Sequence, residues 1–157
     1  MGALSRTKGK AFERQVAKDI RAVLGLDHVA VRRGLQSRGG GGEVPDVIVE
    51  GLPIHWECKH GDSASPESAL QQAARDVETR GVREVVVAVI RPNGGPTRAW
   101  LYLDDLIVFG NASRARALLD TLRPCDRSPG SPKLSMEWDA FLTLLAQVKL
   151  ANTRPPV

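Results

Sequence analysis

The sequence predicts an α/β fold, a central mixed β-sheet flanked by helices, and three observations lead to it. Apolar residues recur at steps of three and four near the start, as on one face of a helix. Short Val- and Ile-rich runs of strand length follow. A helical segment with a clear start signal then separates the first of these runs from the later ones. The 157 residues, 42% hydrophobic and 25% charged, suit one globular domain that can bury a core.

Taken in order, Lys10 to Leu24 reads as a helix, because Phe12, Val16, Ile20 and Val23/Leu24 share a face and Gly25 ends the run. Asp27 to Arg33 is rich in valine and loosely alternating, and is predicted as a strand. Gly34 to Gly42, with four consecutive glycines, reads as a flexible loop. Val44 to Glu50 and Pro53 to Lys59 are two strands joined by Gly51-Leu52, and glycine first in a two-residue loop suits a type II′ hairpin. Ser65-Pro66-Glu67 combines a capping serine, a first-position proline and an acid in the first turn, so a helix is expected to about Arg80, burying Leu70, Ala73, Ala74 and Val77. Glu84 to Ile90 and Arg98 to Asp104 are predicted as further strands. Residues 1–110 thus form the expected core, and residues 111–157 a C-terminal helical extension of the same domain, with helices over Ala112 to Leu122 and Ser135 to Ala151. Trp138, Phe141, Leu142, Leu144 and Leu145 form an apolar stripe there that needs the core or a second subunit as its partner.

Several classes of function are disfavoured at once. The longest apolar stretch, Val85 to Ile90, is far shorter than the roughly 18 residues of a membrane-spanning helix. The opening MGALSRTKGK has no apolar segment behind it, so no secretory leader is expected. Cys58 and Cys125 lack metal-ligand spacing and suggest no disulfide framework, which fits a reducing cytoplasm. Charge is concentrated rather than spread. Up to Pro45 there are nine basic and four acidic residues, a net +5, so the rest of the chain carries −1 of its total +4. A basic segment of this kind suits phosphate contact, or else is simply a solvated face.

The hairpin carries the chemistry. A two-residue loop at Gly51-Leu52 pairs Glu50 with Pro53 and therefore Asp46 with Glu57. Opposed residues of an antiparallel pair share a face with Cα atoms about 5 Å apart, and Lys59 joins them two residues on. The other face holds Val47, Val49, Leu52, Ile54, Trp56 and Cys58, all apolar. Two facing carboxylates repel unless a cation sits between them, and oxygen ligands favour Mg²⁺, for which Mn²⁺ can substitute. Lys59 is then placed to orient or deprotonate a water, its pKa lowered by the neighbouring cation. The alternative is an edge hairpin whose acids face solvent, with Lys59 as their ordinary salt-bridge partner.

Val44-Pro45-Asp46-Val47 followed by Trp56-Glu57-Cys58-Lys59 resembles the PD…ExK signature of the restriction-endonuclease-like nucleases. Thr7-Lys8-Gly9-Lys10-Ala11-Phe12-Glu13-Arg14 resembles the opening of archaeal-type Holliday junction resolvases, as do the arginines after the first helix and the Gly-rich loop with Ser37. The likeness covers roughly Ser5 to Ile90, and the small size suits a bacteriophage-encoded copy acting in the host cytoplasm. It implies that Asp46, Glu57 and the main-chain carbonyl of Cys58 ligate Mg²⁺, with Glu13 completing the acidic cluster directly or through water. It implies that Lys59 serves the nucleophilic water and that Ser37 reaches the junction centre. It further implies that Arg6, Lys8, Lys10, Arg14, Arg32, Arg33 and Arg38 contact DNA phosphates. Gln71 and Gln72 are similar to glutamines on the corresponding helix of some relatives. Cys58 departs from the usual β-branched or other apolar residue and reads as packing. His28, His55 and His60 lack metal-ligand spacing; His55 falls on the Asp46 face, and His60 is either a substrate contact or a solvated loop residue.

The expected activity is that of a homodimeric, Mg²⁺-dependent endonuclease cutting four-way DNA junctions in pairs, because a two-fold dimer presents two equivalent sites to a roughly two-fold substrate. Two other readings stand beside it. One is a restriction-like, flap or nicking endonuclease of the same chemistry. The other is an inactive DNA-binding module, against which the joint presence of Asp46, Glu57 and Lys59 argues.

Overall fold

A computed structural model describes the chain over residues 3–34, 44–110 and 127–153. The expected loop residues Ser37 and Arg38, Cys125 and the helix expected over Ala112 to Leu122 lie outside them, and the side chain of Arg6 is likewise not described.

The elements run α1 (Ala3–Leu24), β1 (Val31–Arg33), β2 (Val47–Val49), β3 (Ile54–His60), α2 (Pro66–Arg80), β4 (Val85–Arg91), β5 (Arg98–Tyr102), α3 (Leu103–Gly110), β6 (Lys133–Glu137) and α4 (Trp138–Thr153). The six strands form one mixed sheet in chain order, β1-β2-β3-β4-β5-β6. Only β3 and β4 run parallel, and α2 supplies the crossover that a parallel pair requires. No helix among the described residues is long and apolar enough to cross a membrane.

Both faces of the sheet are covered, so β3 is buried on both sides. One face of β3 sends Ile54, Trp56 and Cys58 into a core shared with Phe12, Val16 and Ile20 of α1 and with Trp138, Phe141 and Leu145 of α4. The opposite face of the sheet packs Val86, Ala88 and Ile90 against Ala69, Leu70, Ala73 and Val77 of α2. The apolar stripe of α4 therefore finds its partner within the same chain. Trp56 stands edge-on to Trp138 and Phe141, with ring centroids at 6.4 and 5.8 Å.

Local chemistry explains where the elements depart from the sequence-based expectation. The first strand is shorter than expected because Asp27 accepts hydrogen bonds from the amides of Val29 and Ala30, each at 2.9 Å, and turns the chain before Val31. The strand expected to reach Asp104 ends at Tyr102, where α3 begins with Asp104 and Asp105 in its first turn. Asp105 is fully buried and forms a two-pronged pair with Arg127, whose Nη2 also donates to the carbonyl of Glu84 at 2.5 Å. The C-terminal portion is not solely a helical extension. Lys133–Glu137 adds an edge strand to β5, and the helix expected from Ser135 starts at Trp138.

The start of α2 follows its sequence signals. Ser65 accepts from the Ser68 amide at 3.3 Å, Pro66 occupies the first turn, and Gly81 closes the helix in the left-handed conformation. Ser65→Ala is expected to lower stability by about 1 kcal/mol in urea unfolding, the usual cost of a lost N-cap.

Candidate active site

Strand register brings the acids together. Val47 pairs with Trp56, as expected, but the Asp46 amide also donates to the Trp56 carbonyl at 2.8 Å, so Asp46 is offset by one residue from the expected pairing with Glu57, as at a β-bulge. The turn itself differs from the expected type II′ loop: the Leu52 amide donates to the Val49 carbonyl at 3.2 Å, which puts Gly51, at φ 79°, third in the turn and not first in the loop. Gly34 keeps the neighbouring chain close: its amide donates to the Asp46 carbonyl at 2.8 Å, and a Cβ there would lie 1.9 Å from the Pro45 carbonyl oxygen. No side chain fits that gap.

The two acids are not solvent-facing. Asp46 is 7% exposed and Glu57 4%. Asp46 Oδ2 accepts from the Cys58 amide at 2.7 Å, filling the place of a ladder carbonyl. Burial pushes the Asp46 carboxyl up to about 7, and the charges of Glu57 and Glu13 add to that; the Cys58 amide works the other way. Burial also raises Glu57, against the pull of Lys59. A pair held this far from water gains from a cation, and its donors are all oxygen, so the residues suit a hard dication such as Mg²⁺. The Cys58 carbonyl is directed toward the same gap, because a strand residue's N–H and C=O point to the same side and its N–H meets Asp46.

Lys59 Nζ lies 2.5 Å from Glu57 Oε1 and 3.1 Å from Gln72 Oε1 on α2. Burial draws the Lys59 pKa down, but the hydrogen bond and charge of Glu57 outweigh it, so the group is raised above its ordinary value. Without an ion, the Glu57 charge keeps Lys59 an ammonium; the lowering expected from the sequence belongs to the ion-loaded site. The buried Cys58 thiol is also pushed up, first by burial and then by the surrounding acids, and stays a packing group.

Glu13 lies on α1 beside buried Phe12 and is ion-paired with Arg33. The ligand atoms of Glu13, Asp46 and Glu57 do not converge within 4.8 Å; among the described residues the trio that does is His55, Glu57 and Asp76. Arg32 and Arg33 alternate along β1 and diverge, Arg32 pairing with Glu50 at 2.7 Å. Lys8, Lys10 and Arg14 are exposed along α1. His60 packs at a tilt against Phe12, ring centroids 5.7 Å apart, and His28 is exposed. Gln71 bonds Glu67 at 2.6 Å and does not reach the acids.

Sequence reasoning missed a polar seam between β3 and α2. Lys59, Glu57 and His55, at steps of two, face Gln72, Asp76 and Arg80, at steps of four. Two strand residues advance about 6.6 Å and four helical residues about 6 Å, so the two ladders stay in step. His55 is wholly buried, with Arg80 Nη2 donating to its Nδ1 at 2.8 Å. Glu84, ion-paired with Arg80, is held down at about 2, first by its interaction with His55 and then, against burial, by Arg80.

The fold and the site together define an α/β protein with a six-stranded mixed sheet and a buried acid pair at its centre. Comparisons with protein-family models, with curated protein sequences and with solved structures gave no match.

Proposed function

We propose that the chain is a Mg²⁺-dependent, structure-selective DNA endonuclease with a restriction-endonuclease-like core, resolving four-way junctions by paired phosphodiester hydrolysis. One observation carries this reading: Asp46 and Glu57, on adjacent chain segments of the sheet, are both buried and feel each other's charge, with Lys59 against Glu57. Asp46, Glu57 and the Cys58 carbonyl would hold Mg²⁺. When bound, the ion polarises a phosphoryl oxygen and eases the loss of a proton from water.

The chain's own groups do the remaining work. Lys59, kept as an ammonium by Glu57 and steadied by Gln72, offers its positive charge to the phosphate and orients the attacking water. Glu13, held by Arg33, adds negative charge that Asp46 feels, and reaches the water from the α1 side. Lys8, Lys10 and Arg14 bind DNA phosphates along α1, Arg32 and Arg33 do so from β1, and Arg6, Ser37 and Arg38 complete the contacts. Such contacts read backbone and shape, not base edges, and make binding sensitive to salt. A homodimer supplies the two cuts.

A synthetic four-way junction and a linear duplex of the same arms test this with Mg²⁺ and with chelator. Paired symmetric nicks on the junction alone, lost with chelator, are expected. Equal cutting of the linear duplex would move the reading to a restriction-like or nicking enzyme. No cutting of either substrate with Mg²⁺ or Mn²⁺ would overturn it.

A further inference from the structure

We propose that His55, Glu57 and Asp76 form a second cation site, on the α2 side of Glu57, that takes a borderline ion such as Zn²⁺. The three side chains each bring a ligand atom within 4.8 Å of the others. Two of those residues carry orphaned atoms. His55 Nε2 and Asp76 Oδ2 are both buried, and neither has a hydrogen-bond partner. They lie 4.0 Å apart, too far to satisfy each other. A buried imidazole nitrogen and a buried carboxylate oxygen left unpaired are costly, and a shared cation removes both penalties.

Charge points the same way. Four acids, Asp46, Glu57, Asp76 and Glu84, meet two fixed cations, Lys59 and Arg80, around this seam. That excess of acids lowers the cost of bringing cations to Glu57. The nitrogen donor separates this site from the all-oxygen set at Asp46, because imidazole suits Zn²⁺ far better than Mg²⁺, while Mn²⁺ enters both and serves as the paramagnetic probe.

The ring must change tautomer to bind. An arginine can only donate, so Nδ1 now accepts from Arg80 and the ring proton is on Nε2. Ligation moves that proton: one leaves Nε2 and one is taken up at Nδ1, with no net change. The Nδ1–H then faces Glu84 Oε2, 3.8 Å away, while Arg80 keeps its hydrogen bonds to Glu84 and releases the ring. A carboxylate behind a metal-binding histidine is the usual support for such a ligand.

The site does not depend on the nuclease reading, and pulsed electron paramagnetic resonance of the whole chain loaded with Mn²⁺ alone tests it. The wild type is expected to show the ¹⁴N coupling of a directly bound imidazole. Asp76→Asn should lose that coupling, with Mn²⁺ affinity at this site falling more than about tenfold. Asp46→Asn should keep it, even though that variant empties the all-oxygen site. Absence of ¹⁴N coupling in the wild type, or its survival in Asp76→Asn or His55→Gln, would overturn the assignment. If His55→Gln does not fold, Asp76→Asn decides, because it is nearly isosteric and Asp76 keeps 16% of its side chain exposed, against none for His55.

Discussion

Asp46→Asn is expected to abolish DNA cleavage and, in chelator, to make the protein more stable at pH 8. The two effects have one cause. Burial and the Glu57 charge hold the Asp46 carboxyl at about 7, against an ordinary 3.8. A carboxyl raised on folding contributes its stability in full below the unfolded value. That contribution is lost as pH rises through the folded one. The ion-free wild type therefore weakens between about pH 4 and pH 7 and stays weakened above. Asparagine carries no charge to bury and still accepts from the Cys58 amide. Its expected gain is on the order of 2–4 kcal/mol at pH 8 and close to nothing at pH 4, read from urea unfolding at both values. The loss in cleavage should be on the order of 10³ or more, since several kcal/mol of charge stabilisation goes with the ion. An unchanged cutting rate would dismiss the assignment of Asp46 to the reaction. An unchanged stability difference between the two pH values would dismiss the electrostatic account, whatever the protein cuts.

Trp56→Ala is expected to cost about 3–5 kcal/mol in urea unfolding, the range for a large aromatic removed from a core. Trp56 is fully buried on β3 and meets Trp138 and Phe141 edge-on, while those two rings stack on each other at 5.8 Å. The side chain thus links the middle of the sheet to α4, and its loss should also loosen that helix. Limited proteolysis is expected to cut the variant first within Trp138–Thr153. A variant as stable as wild type would mean that α4 is held elsewhere, for instance by the hydrogen bond from Trp138 Nε1 to Asp19 at 3.0 Å.

Much of the architecture was legible in the sequence because local signals and burial agreed. The step-of-three-and-four pattern from Phe12 to Leu24 is the buried face of α1, and the Ser65-Pro66 start is where α2 begins. The turn near Gly51 was enough to derive the Val47–Trp56 pairing, but not the bulge that offsets Asp46 from Glu57, which no local residue signals. The missed features depend on distant partners. Nothing near Asp105 announces that Arg127 will meet it, and Asp104, which with Asp105 makes a fair helix start, is absorbed into the strand expected before it. The short run Lys133–Glu137 becomes a strand because β5 offers it an edge. The polar seam was visible in principle: Gln72, Asp76 and Arg80 form one stripe of a helix, and His55, Glu57 and Lys59 one face of a strand. The helix stripe reads as a solvated row and the strand face as the acid–lysine set alone, and nothing local joins them before α2 is seen to lie over β3.

The sequential strand order has a consequence for synthesis on the ribosome. Each new strand can join the edge left by the one before it, so the sheet can grow as the chain emerges. Its first face cannot close in the same way, because the helix that covers Trp56 follows every strand of the described sheet, and Trp138 reaches back 119 positions to Asp19. A nascent chain stopped before residue 138 would display an uncovered aromatic and aliphatic surface, the kind that chaperones bind and that drives aggregation.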